Sequence, residues 1–113
     1  MFIKVTLRLL LVRHGLSSFN TQNRIQGRND LSILTPDGQT QAQLTGKEFS
    51  DLALDAIYSS PLKRCVSTTE NILKSSKSSA SPIFDDELLE IDLEPWSGLT
   101  IEEAKTKFPE SYQ

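Results

Sequence analysis

Leu9-Leu10-Leu11-Val12-Arg13-His14-Gly15 decides how the rest of the chain is read. An aliphatic run ends abruptly in a cation, the only histidine of the sequence, and a glycine. Bounded in this way, the run predicts a strand buried on both faces, as in parallel sheets covered by helices. Strands of open α/β sheets deliver the residues at their carboxyl ends into the crevice where ligands bind. His14 is therefore expected at the mouth of a pocket, with Arg13 beside it and Gly15 letting the backbone turn away unobstructed. A guanidinium next to an imidazole can hold an anion against a nucleophile.

Working outward, the polar loop from Ser17 to Asp30 carries Asn20, Gln26 and Arg28, whose amides and guanidinium can donate to phosphate oxygens. Thr35-Pro36-Asp37-Gly38 predicts a helix start, with Thr35 as N-cap and Pro36 at the first helical position. Ala42, Leu44, Phe49, Leu52 and Leu54 supply its core positions, interrupted by Gly46. Asp55 to Ser60 reads as a second strand, followed by a helix that Ser60 caps and Pro61 opens. Arg64 then falls in the first turn, where the helix dipole and free N–H groups reinforce its charge. Val66, Thr69, Ile72 and Leu73 continue that helix's buried face. The Ser- and Lys-rich stretch from Lys74 to Pro82 has the composition of an exposed loop. Pro82-Ile83-Phe84 reads as a third strand. Asp85, Asp86 and Glu87 are expected to be solvated, whereas Glu90 lies between Leu89 and Ile91. Thr100 with Glu103 predicts a capping box for a last helix.

The chain has 113 residues, enough for one small domain spanning 1–113. Its net charge of −3 argues against a general nucleic-acid surface. One cysteine, Cys65, cannot form an internal disulfide and suits a reducing cytoplasm; it is expected to be a small buried side chain. Lys4 and Arg8 interrupt the apolar amino terminus, which makes a poor signal peptide and is too short to cross a membrane.

The segments Leu11-Val12-Arg13-His14-Gly15, Ser17 with Asn20, Arg24-Ile25-Gln26-Gly27, and Leu34-Thr35 with Gly38 together resemble the opening of the histidine phosphatase superfamily, the phosphoglycerate mutase-like fold. Ile57-Tyr58-Ser59-Ser60-Pro61-Leu62-Lys63-Arg64 resembles that family's second arginine motif. Leu88-Leu89-Glu90-Ile91-Asp92, continuing to Trp96-Ser97-Gly98-Leu99-Thr100, resembles its acid segment. Three motifs in order are far more specific than any one alone. The resemblance implies a three-layer α/β/α fold with a mostly parallel sheet, of which this chain is the amino-terminal part, incomplete at the carboxyl end.

It also implies a chemistry. His14 attacks a phosphomonoester and becomes phosphohistidine, held in one tautomer by local backbone. Arg13 and Arg64 bind the phosphate, Asn20, Gln26 and Gly27 line the substrate site, and Glu90 is the general acid and base. A carboxyl acts as an acid near neutral pH only if burial favours its neutral form, and Leu89, Ile91 and Trp96 are the expected neighbours. No metal or cofactor is implied, because the arginines neutralise the phosphoryl charge. The substrate is a small phosphorylated metabolite, with no nucleic acid or membrane involved. Arg24 and Arg28 are left open, because the stretch from Gly27 to Thr35 is a residue longer than in many relatives. Glu94 stands where relatives often have glycine. The family's second catalytic histidine lies on a later strand and has no counterpart in this sequence. An inactive phosphate-binding module is therefore one alternative, and phosphoglycerate mutase-type transfer is another. A sheet lacking later strands would also expose an edge open to self-association.

Overall fold

The structure, a computed structural model, describes residues 2–112. In chain order it contains α1 (Ser18–Thr21), α2 (Pro36–Glu48), β1 (Ile57–Ser59), α3 (Lys63–Ser76), β2 (Pro82–Phe84), a 3-10 turn (Asp86–Leu88) and α4 (Ile101–Lys107). β1 and β2 pair in parallel with Ile57 opposite Pro82 and Ser59 opposite Phe84. Parallel neighbours need a crossover, and α3 supplies it, so β1–α3–β2 is a βαβ unit. The α/β class with a parallel sheet is therefore as the sequence implies.

The first expected strand is not in the sheet. Residues 9–13 form no helix, enter no ladder and are exposed, Leu9 at 71% and Leu11 at 87%. A strand buried on both faces needs partners at its edges and helices over both sides. Among the described residues, β1 and β2 pair only with each other. The protruding arm fits a radius of gyration of 17.0 Å, where a compact chain of this length has about 13 Å. Burial begins at His14 and Gly15.

α2 packs along α3. The helices meet at Gly46, where any Cβ would collide with the Ser75 hydroxyl and the Ile72 carbonyl. What the sequence presents as an interruption in the apolar pattern is thus the point of closest approach. Around it the seam is polar: Ser75 Oγ donates to the Gln43 carbonyl (2.6 Å), and Gln43 Nε2 donates to Asn71 Oδ1 (2.9 Å). Leu44, expected in the core, is 56% exposed. The buried apolar side chains are Phe19, Leu34, Ala42, Leu62 and Ala104.

Helix starts follow the sequence at α2, where Thr35 Oγ1 accepts from Gly38 N at 3.0 Å and Pro36 stands at N1. At α3 they do not. Leu62 is the N-cap and has no side-chain cap bond. Ser60 Oγ accepts from Leu62 N at 3.4 Å, and Asp30 instead accepts from Lys63 N at 2.7 Å, across 33 residues of chain. Thr100 caps α4 by accepting from Glu103 N (3.1 Å), but the Glu103 carboxylate lies 3.9 Å from Arg24 rather than closing the box. Asp85, expected to be merely solvated, caps the 3-10 turn through Glu87 N at 2.9 Å. No helix among the described residues is long and apolar enough to cross a membrane.

Candidate active site

The turn that carries His14 rests on two helices. Gly15 and Gly38, at the start of α2, touch backbone to backbone, and a Cβ at 15 would lie 2.5 Å from the Gly38 carbonyl oxygen. Leu16 is tied to α2 through the Gln41 side chain, which accepts from its N–H at 2.9 Å, and through Thr35, whose N and Oγ1 both donate to its carbonyl at 2.9 Å. On the other side Gly15 N donates to Thr68 Oγ1 (3.0 Å), and that hydroxyl donates to the Arg64 carbonyl (2.7 Å). Thr68 is buried on α3, one turn beyond Arg64. It couples the histidine turn to the arginine helix.

His14 is half-buried, and its Nδ1 lies 2.7 Å from the Gly15 carbonyl oxygen. A carbonyl only accepts, so Nδ1 carries the proton and Nε2 of the neutral ring keeps its lone pair. Burial pushes the imidazole below its ordinary value of 6.5; the Gly15 bond opposes this, Arg64 and Arg13 add to it, and Glu90 opposes it. The four residues expected to act together are therefore close enough to influence one proton. Arg13 itself is exposed.

Arg64 is only 2% exposed. Its Nη2 donates to the Gly27 carbonyl at 2.7 Å and its Nη1 to the Asn29 carbonyl at 3.3 Å, while Nε is buried without a partner. No carboxylate stands within 4.0 Å of it among the described residues. The expected free N–H at the helix start is partly spent, because Asp30 takes Lys63 N. Residues 27–30 therefore wrap the first turn of α3. Cys65 is half-buried rather than fully buried, and burial raises its thiol above the ordinary value, which keeps it protonated.

Asn20 and Gln26 are oriented by serines. Asn20 Oδ1 accepts from Ser17 N (3.0 Å) and Ser17 Oγ (2.8 Å); Gln26 Oε1 lies 2.7 Å from Ser17 Oγ and accepts from Ser32 Oγ at 2.9 Å. Both serines are fully buried. With each carbonyl oxygen engaged inward, the amide NH2 groups are the donors left for a ligand. Ser32 and Thr68 were not singled out by the sequence reading. Thr68 was legible as the position four after Arg64, on the same helix face; Ser32 carried no local signal.

Glu90 is exposed, so the burial expected beside Leu89, Ile91 and Trp96 is absent. Ile91 is itself exposed, and Trp96 packs edge-on against Tyr112 instead. Glu90 Oε1 accepts from Ile91 N at 2.9 Å, and its carbonyl accepts from Arg28 Nε at 2.7 Å. Arg24 serves the frame: Nε donates to Gln22 Oε1 (2.8 Å) and Nη1 to the Gly98 carbonyl (2.9 Å), beside Glu103.

A parallel βαβ unit whose crossover helix carries a buried arginine and holds the turn bearing the histidine defines the class, an α/β protein with a parallel sheet. The chain belongs to the histidine phosphatase superfamily (branch 1), whose family model matches residues 9–113. It is 40% identical over 106 residues to a 2-carboxy-D-arabinitol-1-phosphatase of Triticum aestivum, covering 94% of this chain and 21% of that protein. It is also 40% identical over 110 residues to phosphoserine phosphatase 1 of Hydrogenobacter thermophilus, covering 94% of this chain and 49% of that one. Among solved structures, a mycobacterial glucosyl-3-phosphoglycerate phosphatase in complex with VO3 superposes with a TM-score of 0.78 at 28% identity, over 87% of this chain and 47% of that chain. The chain thus spans less than half the length of each. The shared fold is phosphoglycerate mutase-like.

Proposed function

We propose that this chain carries the phosphate-binding and nucleophilic part of a phosphomonoesterase that works through a phosphohistidine on His14. The observation that carries this reading is Arg64: a guanidinium 2% exposed, with no carboxylate partner among the described residues and one orphaned nitrogen, on the helix that holds the turn of a histidine whose Nε2 keeps its lone pair. Removing a cation from water costs several kcal/mol unless an opposite charge answers it. Two carbonyl oxygens supply only partial charge, so a dianionic phosphoryl group is the ligand the site is built to take.

The chemistry then runs in two balanced steps. His14 Nε2 attacks phosphorus as the P–O bond to the leaving group breaks; Glu90 is the proposed proton donor to the departing alkoxide, a role that requires bound substrate to cover its exposed carboxyl, because burial is what favours the neutral form. Water next loses a proton to the Glu90 carboxylate while its oxygen attacks phosphorus. The P–N bond breaks, releasing inorganic phosphate and restoring the ring. Throughout, the proton stays on Nδ1, donated to the Gly15 carbonyl, while Arg13 and Arg64 steady the equatorial oxygens. Asn20 and Gln26 present their NH2 groups to the substrate. Arginine supplies the charge neutralisation, so the reaction is expected to be metal-independent. Each substrate named for the three relatives joins a phosphomonoester to a carboxylate. The substrate class proposed here is accordingly a small phosphorylated carboxylic acid.

The test is hydrolysis of p-nitrophenyl phosphate in EDTA, with acid quenching and mass spectrometry of the peptide carrying His14. Metal-independent turnover with an added phosphoryl group, both abolished by His14→Ala, is the expected result; unchanged turnover in the variant ends the proposal. The exposure of Glu90, which leaves the acid without the burial its role calls for, favours a second reading, a phosphate clamp without turnover. Calorimetric binding of phosphate with no phosphohistidine formed would select it.

A further inference from the structure

We propose that Arg28 is the specificity residue of this site and that it selects phosphate esters by binding their carboxylate. The proposal rests on the phosphomonoester reading above and deepens it. Arg28 Nε donates to the Glu90 carbonyl at 2.7 Å, which pins the guanidinium to the backbone of the acid. Its two terminal nitrogens make no hydrogen bond or ion pair among the described residues, and the side chain is exposed. A planar fork is thus anchored at its stem and left open at its tip, the arrangement that takes a carboxylate through two parallel N–H···O bonds.

The neighbouring residues define what this fork can and cannot reach. Gly27 and Asn29, on either side of Arg28, turn their carbonyls to Arg64, so one short loop holds a buried guanidinium beside His14 and an exposed one beside Glu90. Glu90 is the proposed donor to the leaving group, and Arg28 is bonded to its backbone, so the open fork is assigned to the side of the site where the remainder of a substrate would lie. Arg24, the other arginine of the loop, has Nε on Gln22 and Nη1 on the Gly98 carbonyl, with Glu103 beside that nitrogen. Of the pair, only Arg28 keeps both terminal nitrogens open.

The experiment is calorimetric titration of the full 113-residue chain with 3-phosphoglycerate and with glycerol 3-phosphate. These share a three-carbon skeleton and a phosphate, and differ in a carboxylate against a hydroxymethyl group. Wild-type protein is expected to prefer 3-phosphoglycerate by about tenfold, the scale of one charge-assisted pair. Arg28→Gln should erase that preference and leave glycerol 3-phosphate within about twofold of wild type, which also reports that the variant is folded. Arg28→Lys, which keeps the charge and loses the fork, should recover only part of it. An unchanged preference in Arg28→Gln, or no preference in wild type, overturns the assignment of Arg28 while leaving the phosphate site standing. If neither ligand binds wild-type protein, the phosphate site itself falls, and this proposal with it.

Discussion

Thr68→Val separates the hydrogen bonds of Thr68 from its bulk. Valine keeps the shape of threonine and its place on α3 and deletes only the hydroxyl. Two bonds disappear, one accepted from Gly15 N at 3.0 Å and one donated to the Arg64 carbonyl at 2.7 Å. The second loss is small, because a carbonyl inside α3 still accepts its helical partner. The first leaves a buried N–H with nothing to bond, which costs about 1 to 3 kcal/mol. The expected destabilisation is therefore about 2 kcal/mol, read as a lowered urea midpoint at constant slope. Thr68→Ser makes the opposite change, keeping both bonds and losing a buried methyl worth about 1 kcal/mol. The variants should also part on function. Valine frees the turn holding His14 and should weaken phosphate binding about tenfold, a change of 1.4 kcal/mol, whereas serine should bind as wild type does. A valine variant within about 0.5 kcal/mol of wild type, or one that binds phosphate better than the serine variant, refutes the coupling of the two motifs through Thr68.

Three further outcomes follow from the same contacts. Gly46→Ala gains about 1 kcal/mol of helix propensity, yet it should lower stability by a net 1 kcal/mol or more, because the new methyl meets the Ile72 backbone; thermal unfolding reads the sign directly. Asp30→Ala removes the side-chain acceptor of the Lys63 N–H at the start of α3 and should cost about 1 kcal/mol in urea, with Asp30→Asn recovering most of it. The single histidine gives one isolated imidazole resonance by NMR, and its midpoint should lie below 6.5, rising when Arg13→Gln removes a cation that depresses it. Because the folded value is the lower one, the unfolded chain binds more protons in that interval. Stability is then full above 6.5 and falls as pH drops towards the folded midpoint, a slope that His14→Gln should abolish.

Several elements were legible because their signals are local. Thr35-Pro36 starts a helix wherever it occurs in such a context, and α2 begins there. The short β-prone runs at 57–59 and 82–84 with a helix between them became the parallel pair. The opposite holds where the deciding partner is remote. The aliphatic run before His14 has the composition of an interior strand, but burial is a property of neighbours, and at residues 9–13 the described chain provides none. Ser60 has the right chemistry to cap α3 and lost to Asp30, whose claim depends on how the loop folds back. Leu89 and Ile91 suggested a buried acid, yet flanking hydrophobes do not determine side-chain exposure in a segment without regular structure, and Glu90 is exposed.

Residues 27–30 tie together residues that lie far apart in sequence and that the proposed mechanism brings to one group. Arg64 arrives on α3 and Glu90 on the segment after β2, and neither bonds directly to His14. The loop supplies the common reference: Gly27 and Asn29 fix the Arg64 guanidinium, Asp30 fixes its helix, and Arg28 fixes the backbone of Glu90. A chain with an overall charge of −3 thereby keeps Arg13 and Arg64 near one neutral imidazole without a carboxylate neutralising Arg64. Had an acidic side chain been placed on Arg64, the fold would gain an ion pair and the site would lose its attraction for phosphate. Holding Arg64 with carbonyl oxygens satisfies part of its hydrogen bonding and leaves its charge available to a ligand.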